Sequence, residues 1–177
     1  KIRRADLLLK AAVKLSKKRN DFKIWIVGSK GELDNELKNI VKKFNLSEHV
    51  EFFGKVSDER LVELYSQAMV VVHLVKEAPF GLIVTESMSC GTPVISWTPG
   101  GPEEIIIDGK SGFLINENDQ NELVKKIEIF LNEPELSLKM GSLGREHILS
   151  NFDLAKHHQI MREHLLNWIS KKKSSFE

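Results

Sequence analysis

Glu86 stands five residues after Gly81 in the stretch "EAPFGLIVTESMSCGTPVI", residues 77 to 95. A Pro-Phe-Gly break leads there into a helix, and the acid lies about a turn and a half inside it. A helix N-terminus presents unpaired backbone N–H groups and a partial positive charge, and its natural guest is a phosphate. The amides of Gly81, Leu82 and Ile83 can donate to phosphate oxygens. A carboxylate aimed at that phosphate would repel it, so Glu86 suits a neutral diol, such as the two hydroxyls of a ribose. The competing reading makes Gly81 a packing residue and Glu86 a solvated one, and position alone does not separate the two. The small neighbours Ser87, Ser89 and Gly91 and the apolar run beyond them weigh against simple solvation.

Two other glycine-bearing loops have the same character. They are "GSKGE" at 28–32 and "TPGGPEE" at 98–104. The first lacks the Gly-x-Gly-x-x-Gly spacing and is weak as a dinucleotide fingerprint. Each loop should follow a strand. Helical spacing runs over residues 6–18 through Leu8, Ala11, Ala12 and Leu15, and over 31–45 through Leu33, Leu37, Ile40, Val41 and Phe44. Ser57-Asp58-Glu59 caps a third helix reaching Ala68. Helices are also expected over 81–90, briefly after 101, over 119–132 and 135–150, and from the Asp153 cap to Lys173. Between them lie five short apolar runs, at 22–28, 49–54, 69–75, 93–97 and 112–115. The third is apolar enough to be buried on both faces. Strands separated by helices predict an α/β domain with a doubly wound parallel sheet, right-handed crossovers and extra C-terminal helices. Ligands of such sheets bind beyond the carboxyl ends of the strands, where the three loops lie.

The 177 residues suffice for one domain, and 41% apolar with 29% charged residues is an ordinary globular composition. A net charge of +1 offers no general attraction for nucleic acid. The single cysteine, Cys90, excludes an internal disulfide and a cysteine-based zinc site, and fits a reducing compartment. The absence of a membrane-spanning run or signal peptide predicts a cytoplasmic location. A start at Lys1 rather than methionine suggests an excised domain.

The stretches "PFGLIVTESMSCGTPVI" and "TPGGPEEIIIDGKSGFLI", preceded in order by "IVG", "VEFFGKVSDERLVELYSQA" and "VVVHLV", resemble the donor-binding half of retaining GT-B glycosyltransferases. The resemblance covers essentially the whole chain. It implies a single donor-binding domain over 1–177, whose acceptor-binding N-terminal partner domain is absent. It also implies metal-independent transfer of a hexose from a nucleotide sugar, with retention and no cofactor. It favours GDP-mannose as the donor and a glycan or a lipid-linked molecule at the inner membrane face as the acceptor.

By the same resemblance, Glu86 matches the second glutamate of a Glu-x(7)-Glu motif, which holds the ribose hydroxyls. Phe80, Gly81, Leu82 and Ile83 match the turn whose amides meet phosphate and sugar. Gly100, Gly101 and Glu104 match the next loop, and Val56 lies where the chain passes the base. Arg3 falls where a lysine contacts the diphosphate. The first motif glutamate should be residue 78, which is alanine; either neighbouring Glu77 reaches the sugar or that role is vacant. A degenerate nucleotide-binding subunit and a sugar-nucleotide epimerase of the same architecture are therefore rival readings.

Of the remaining residues, His157, His158 and His164 lie on the last helix, but adjacent histidines face different ways and no metal site is expected. His73 ends a strand near the cleft and reads as a hydrogen-bonded rim residue. Cys90 reads as a small buried residue. Trp25 and Trp168 read as packing residues, and Trp97 as packing or bordering the ligand. Lys171 to Lys173 suit a helix C-terminus.

Overall fold

The computed structural model describes residues 4–28 and 34–173. Among these residues five strands alternate with the first six of eight helices, and the last three helices run on consecutively. In chain order they are α1 (Ala5–Ser16), β1 (Ile24–Val27), α2 (Asp34–Lys43), β2 (Val50–Gly54), α3 (Asp58–Gln67), β3 (Val71–His73), α4 (Leu82–Ser89), β4 (Val94–Thr98), α5 (Pro102–Ile105), β5 (Gly112–Asn116), α6 (Gln120–Asn132), α7 (Pro134–Asn151) and α8 (Leu154–Lys173). The sequence anticipates each of them, with ends displaced by at most three residues where they can be compared. Local chemistry explains several boundaries. The Ser57 hydroxyl accepts from the Arg60 amide at 3.3 Å and caps α3. Asp119 caps α6, and Asp153 accepts from the Lys156 amide at 2.8 Å to start α8. α2 ends where Asn45 turns left-handed and Leu46 N–H reaches back to the Val41 carbonyl.

Every ladder is parallel. β1 pairs with β2, while β4 lies between β3 and β5 in a second ladder. Side chains alternate across these strands and feed two cores. On one face Val72, Ile95, Trp97, Phe113 and Ile115 meet Leu7, Leu9 and Leu15 of α1, Leu37 and Val41 of α2, and Leu123, Ile127 and Phe130 of α6. That core also takes in Ile24 and Ile26 of β1 and Phe52 of β2, so it joins the two ladders. On the other face Val71, Val94 and Leu114 meet Val84 and Met88 of α4, Ile105 of α5 and Ile148 of α7. Helices on both faces make the sheet doubly wound. Full burial of a side chain such as Ile95 or Phe130 contributes about 1.5–3 kcal/mol.

Three expectations shift. β4 is the strand buried through four successive residues, whereas the valines of β3 are half-buried. The reason is position: β4 has a hydrogen-bonded neighbour on each side, and β3 borders its ladder. In α1, Leu7 and Leu9 are buried and Leu8 only packs partly, because the helix lies between α2 and α6 and buries a wide face. In α8 the apolar residues are exposed, Trp168 among them at 58%. α7 approaches α4 very closely: a Cβ at Gly141 would lie 1.8 Å from the Gly91 carbonyl oxygen.

Candidate functional site

The carboxyl end of the sheet is built from the loops after β3 and β4. The two strands are first locked together by His73 and Ser96, both buried and paired in register. His73 Nδ1 lies 3.0 Å from Ser96 Oγ, and that hydroxyl lies 3.2 Å from the His73 carbonyl it can donate to. His73 is therefore hydrogen-bonded, as expected, but it is buried in the scaffold rather than set at the rim.

The chain leaving β3 passes through Glu77, whose φ of 47° is left-handed and uncommon for a side-chain-bearing residue. Glu77 is exposed, and Lys76 Nζ lies 4.0 Å from it and 3.5 Å from Glu117, just past β5. Ala78 is buried, and its carbonyl accepts from Gly101 N–H at 2.7 Å. The chain then turns into α4 at Gly81, which has φ 104° and ψ 59°. L-residues with a Cβ rarely adopt that conformation. No side chain caps α4. Helix geometry gives the N–H groups of Leu82 and Ile83 no carbonyl within the helix to bind, leaving them for an external acceptor. Phe80 and Leu82 are exposed beside this end, and Ile83 is half-buried.

The second loop carries Gly100 and Gly101 after a cis Thr98–Pro99 bond. Gly101 is pressed against the first loop: a Cβ there would lie 2.4 Å from Phe80 Cα and 2.6 Å from the Pro79 carbonyl oxygen. The two loops are thus one layer, pinned by a hydrogen bond and by the missing side chain. Glu104 is exposed on α5, with its N–H bonded to the Gly101 carbonyl at 3.0 Å.

Glu86 lies on the exposed side of α4, and Tyr65 of α3 donates to its Oε2 at 3.0 Å. Val56 is half-buried between β2 and the Ser57 cap, at the same end of the sheet. Beside it, Glu59 titrates below the usual carboxylate range, because its own amide and the Ser57 hydroxyl donate to it. The structure brings together Ala78, Phe80, Gly81, Gly100 and Gly101. Leu82, Ile83 and Glu86 follow on the helix that this turn starts. Arg3 lies outside the described residues, as do residues 29–33 of the first glycine loop.

Two residues near these loops were not singled out from sequence. Tyr65 is the chain's only tyrosine, which is a signal of sorts, but its partner is 21 residues away. Arg4 starts α1, pairs with Asp6 at 3.1 Å, and sets its guanidinium 5.7 Å from the Trp97 ring centroid. That contact brings the start of α1 to the end of β4. Trp97 is 2% exposed and serves packing. Trp25 packs edge-on against Phe53. Cys90 is half-buried with a free thiol. Among the described residues no group of three or more His, Cys, Asp or Glu side chains converges as a metal site. No described helix is long and apolar enough to cross a membrane.

The chain is similar to known proteins in sequence and in fold. The family "Glycosyl transferases group 1" matches residues 3–147. An uncharacterized glycosyltransferase of Methanocaldococcus jannaschii is 35% identical over 71% of this chain and 35% of its own length. The human alpha-1,3/1,6-mannosyltransferase ALG2 is 33% identical over 66% of this chain and 28% of its own. Among solved structures, Anabaena Alr3699/HepE in complex with UDP superposes with a TM-score of 0.83 at 25% identity, over 93% of this chain and 45% of the other. The chain thus spans about a third of the length of these two curated relatives.

Proposed function

Because the chain belongs to the group 1 glycosyltransferases, we propose that it is the donor-binding domain of a hexosyltransferase and holds a nucleotide sugar at the layer formed by its β3–α4 and β4–α5 loops. The observation that carries this reading is the uncapped N-terminus of α4 at Gly81, with Glu86 on the exposed side of the same helix. The amides of Gly81, Leu82 and Ile83 donate to the diphosphate, and Glu86 accepts from the ribose hydroxyls. Val56 flanks the base. Phe80, Gly100, Gly101 and Glu104 shape the sugar end. Glu77 and Arg3 are the proposed catalytic residues, Glu77 toward the hexose and Arg3 toward the leaving diphosphate.

Transfer proceeds with retention and without metal or cofactor. Donors fixed before reaction stabilise the charge that develops on the leaving diphosphate. GDP-mannose is the first donor to test, in keeping with a mannosyltransferase among the relatives; the UDP held by a structural neighbour makes UDP-glucose the second. The acceptor, a glycan or lipid-linked molecule at the cytoplasmic face, is presented by an N-terminal domain of the same protein.

Isothermal titration of the chain with GDP-mannose, UDP-glucose and ADP-glucose tests the reading. Heat with at least one is expected, and silence with all three at millimolar ligand refutes it. A second reading, a nucleotide-binding portion without catalysis, draws on Ala78 at the place of the first motif glutamate. Transfer by the full-length protein separates the two.

A further inference from the structure

Glu86 is exposed, yet its carboxylate is not loosely held. Tyr65, half-buried on α3, donates its phenolic O–H to Glu86 Oε2 at 3.0 Å. The backbone of Tyr65 is itself tied down, because the Thr92 hydroxyl donates to its carbonyl at 2.6 Å. Thr92 accepts at its own carbonyl from the Ser87 hydroxyl at 3.0 Å. Ser87 is the neighbour of Glu86 along α4. The four residues therefore close a ring: Glu86, Ser87, Thr92, Tyr65 and back to Glu86. Its anchoring members, Ser87 and Thr92, are 0% and 2% exposed. A carboxylate joined to such a ring stays in one rotamer, whereas a glutamate on an open helix surface samples several.

The donor is a neutral phenol, which takes one lone pair of one oxygen and leaves the negative charge and the remaining acceptor sites in place. We propose that Tyr65 is a positioning residue for the nucleotide site, holding the Glu86 carboxylate ready for the ribose diol. This rests on the reading of Glu86 given under the proposed function. A side chain immobilised beforehand spares the ligand the ordering cost, which corresponds to roughly two- to tenfold in affinity.

The test compares UDP and GDP with their 2′,3′-dideoxy counterparts by titration, on the chain and on its Tyr65→Phe, Glu86→Ala and doubly substituted forms. The unaltered chain is expected to prefer the ribonucleotides. Tyr65→Phe should reduce that preference roughly two- to tenfold while leaving dideoxynucleotide affinity unchanged, and should have no effect once Glu86 is alanine. A preference equal to that of the unaltered chain overturns the inference and leaves the proposed function standing. So does an equal loss for ribo- and dideoxynucleotides, which marks a merely structural hydroxyl. If the unaltered chain binds but shows no ribose preference, the role of Glu86 fails first, and the inference fails with it. Should Tyr65→Phe not fold, 3-fluorotyrosine incorporation labels this site alone, because the chain has one tyrosine. Its fluorine resonance should move on Glu86→Ala, and an unmoved resonance overturns the inference.

Discussion

The substitution Gly101→Ala adds one methyl group at the point where the two ligand loops touch. The new Cβ would lie 2.4 Å from Phe80 Cα, 2.5 Å from the Phe80 carbonyl oxygen and 2.6 Å from that of Pro79. All three are backbone atoms, so no side chain can swing aside, and relief requires the loops to part by about an ångström. Parting them strains the hydrogen bond from Gly101 N–H to the Ala78 carbonyl, now 2.7 Å long. Overpacking costs about 1–3 kcal/mol and a lost neutral hydrogen bond about 0.5–1.5 kcal/mol. A total of roughly 2–4 kcal/mol corresponds, for a chain of this length, to a Tm fall of roughly 5–15 °C.

Gly54→Ala provides the internal comparison. Gly54 has φ +69° and nothing within 4 Å of an added Cβ, so only backbone strain of about 1–2 kcal/mol is felt there. Thermal denaturation followed by circular dichroism measures both variants, and nucleotide titration at a temperature where each is folded measures the site. Gly101→Ala should melt lower than Gly54→Ala and bind nucleotide more weakly, while Gly54→Ala binds as before. If the two variants melt together and both bind normally, the two loops do not form a single layer and the reasoning is wrong.

Glu86→Ala should weaken nucleotide binding by about 1.5–3 kcal/mol, the range for a hydrogen bond to a charged group, with Tm little changed because the side chain is exposed; an unaltered dissociation constant removes Glu86 from the site. A pH effect is expected away from the site. The Arg19 guanidinium bonds Asp21 at 2.6 and 2.7 Å and holds its carboxyl below the usual carboxylate range. A folded pKa below the unfolded one stabilises the fold above the unfolded value, and that contribution is lost as pH falls through the folded one. Replacing Arg19 by alanine should raise the Asp21 titration seen by NMR and shrink the acid sensitivity of stability below about pH 4; a titration curve that does not move contradicts the pairing.

Much of the architecture was legible along the chain because period and punctuation are local. The apolar run "PVISW", the capping serine at 57 and the aspartates at 119 and 153 each act within a few residues of themselves, and the structure places β4, α3, α6 and α8 accordingly. The entry to α4 was legible for the same reason, since a glycine after Pro-Phe and before apolar residues announces both a turn and a helix start. The wide buried face of α1, the half-buried valines of β3 and the exposed face of α8 were not, because burial depends on which elements come to lie alongside.

Sequence by itself therefore determined the order of strands and helices, the glycine at the head of α4 and the placing of an acid on that helix. Tertiary structure alone decided that Gly101 abuts the backbone of Phe80, that α7 rides on the Gly91 carbonyl through Gly141, and that the sole tyrosine reaches Glu86. The physical reason is range. Helix starts and hydrophobic periods are written in neighbours, whereas a contact between loops or between α3 and α4 exists only once the shared sheet has brought distant segments within a few ångströms.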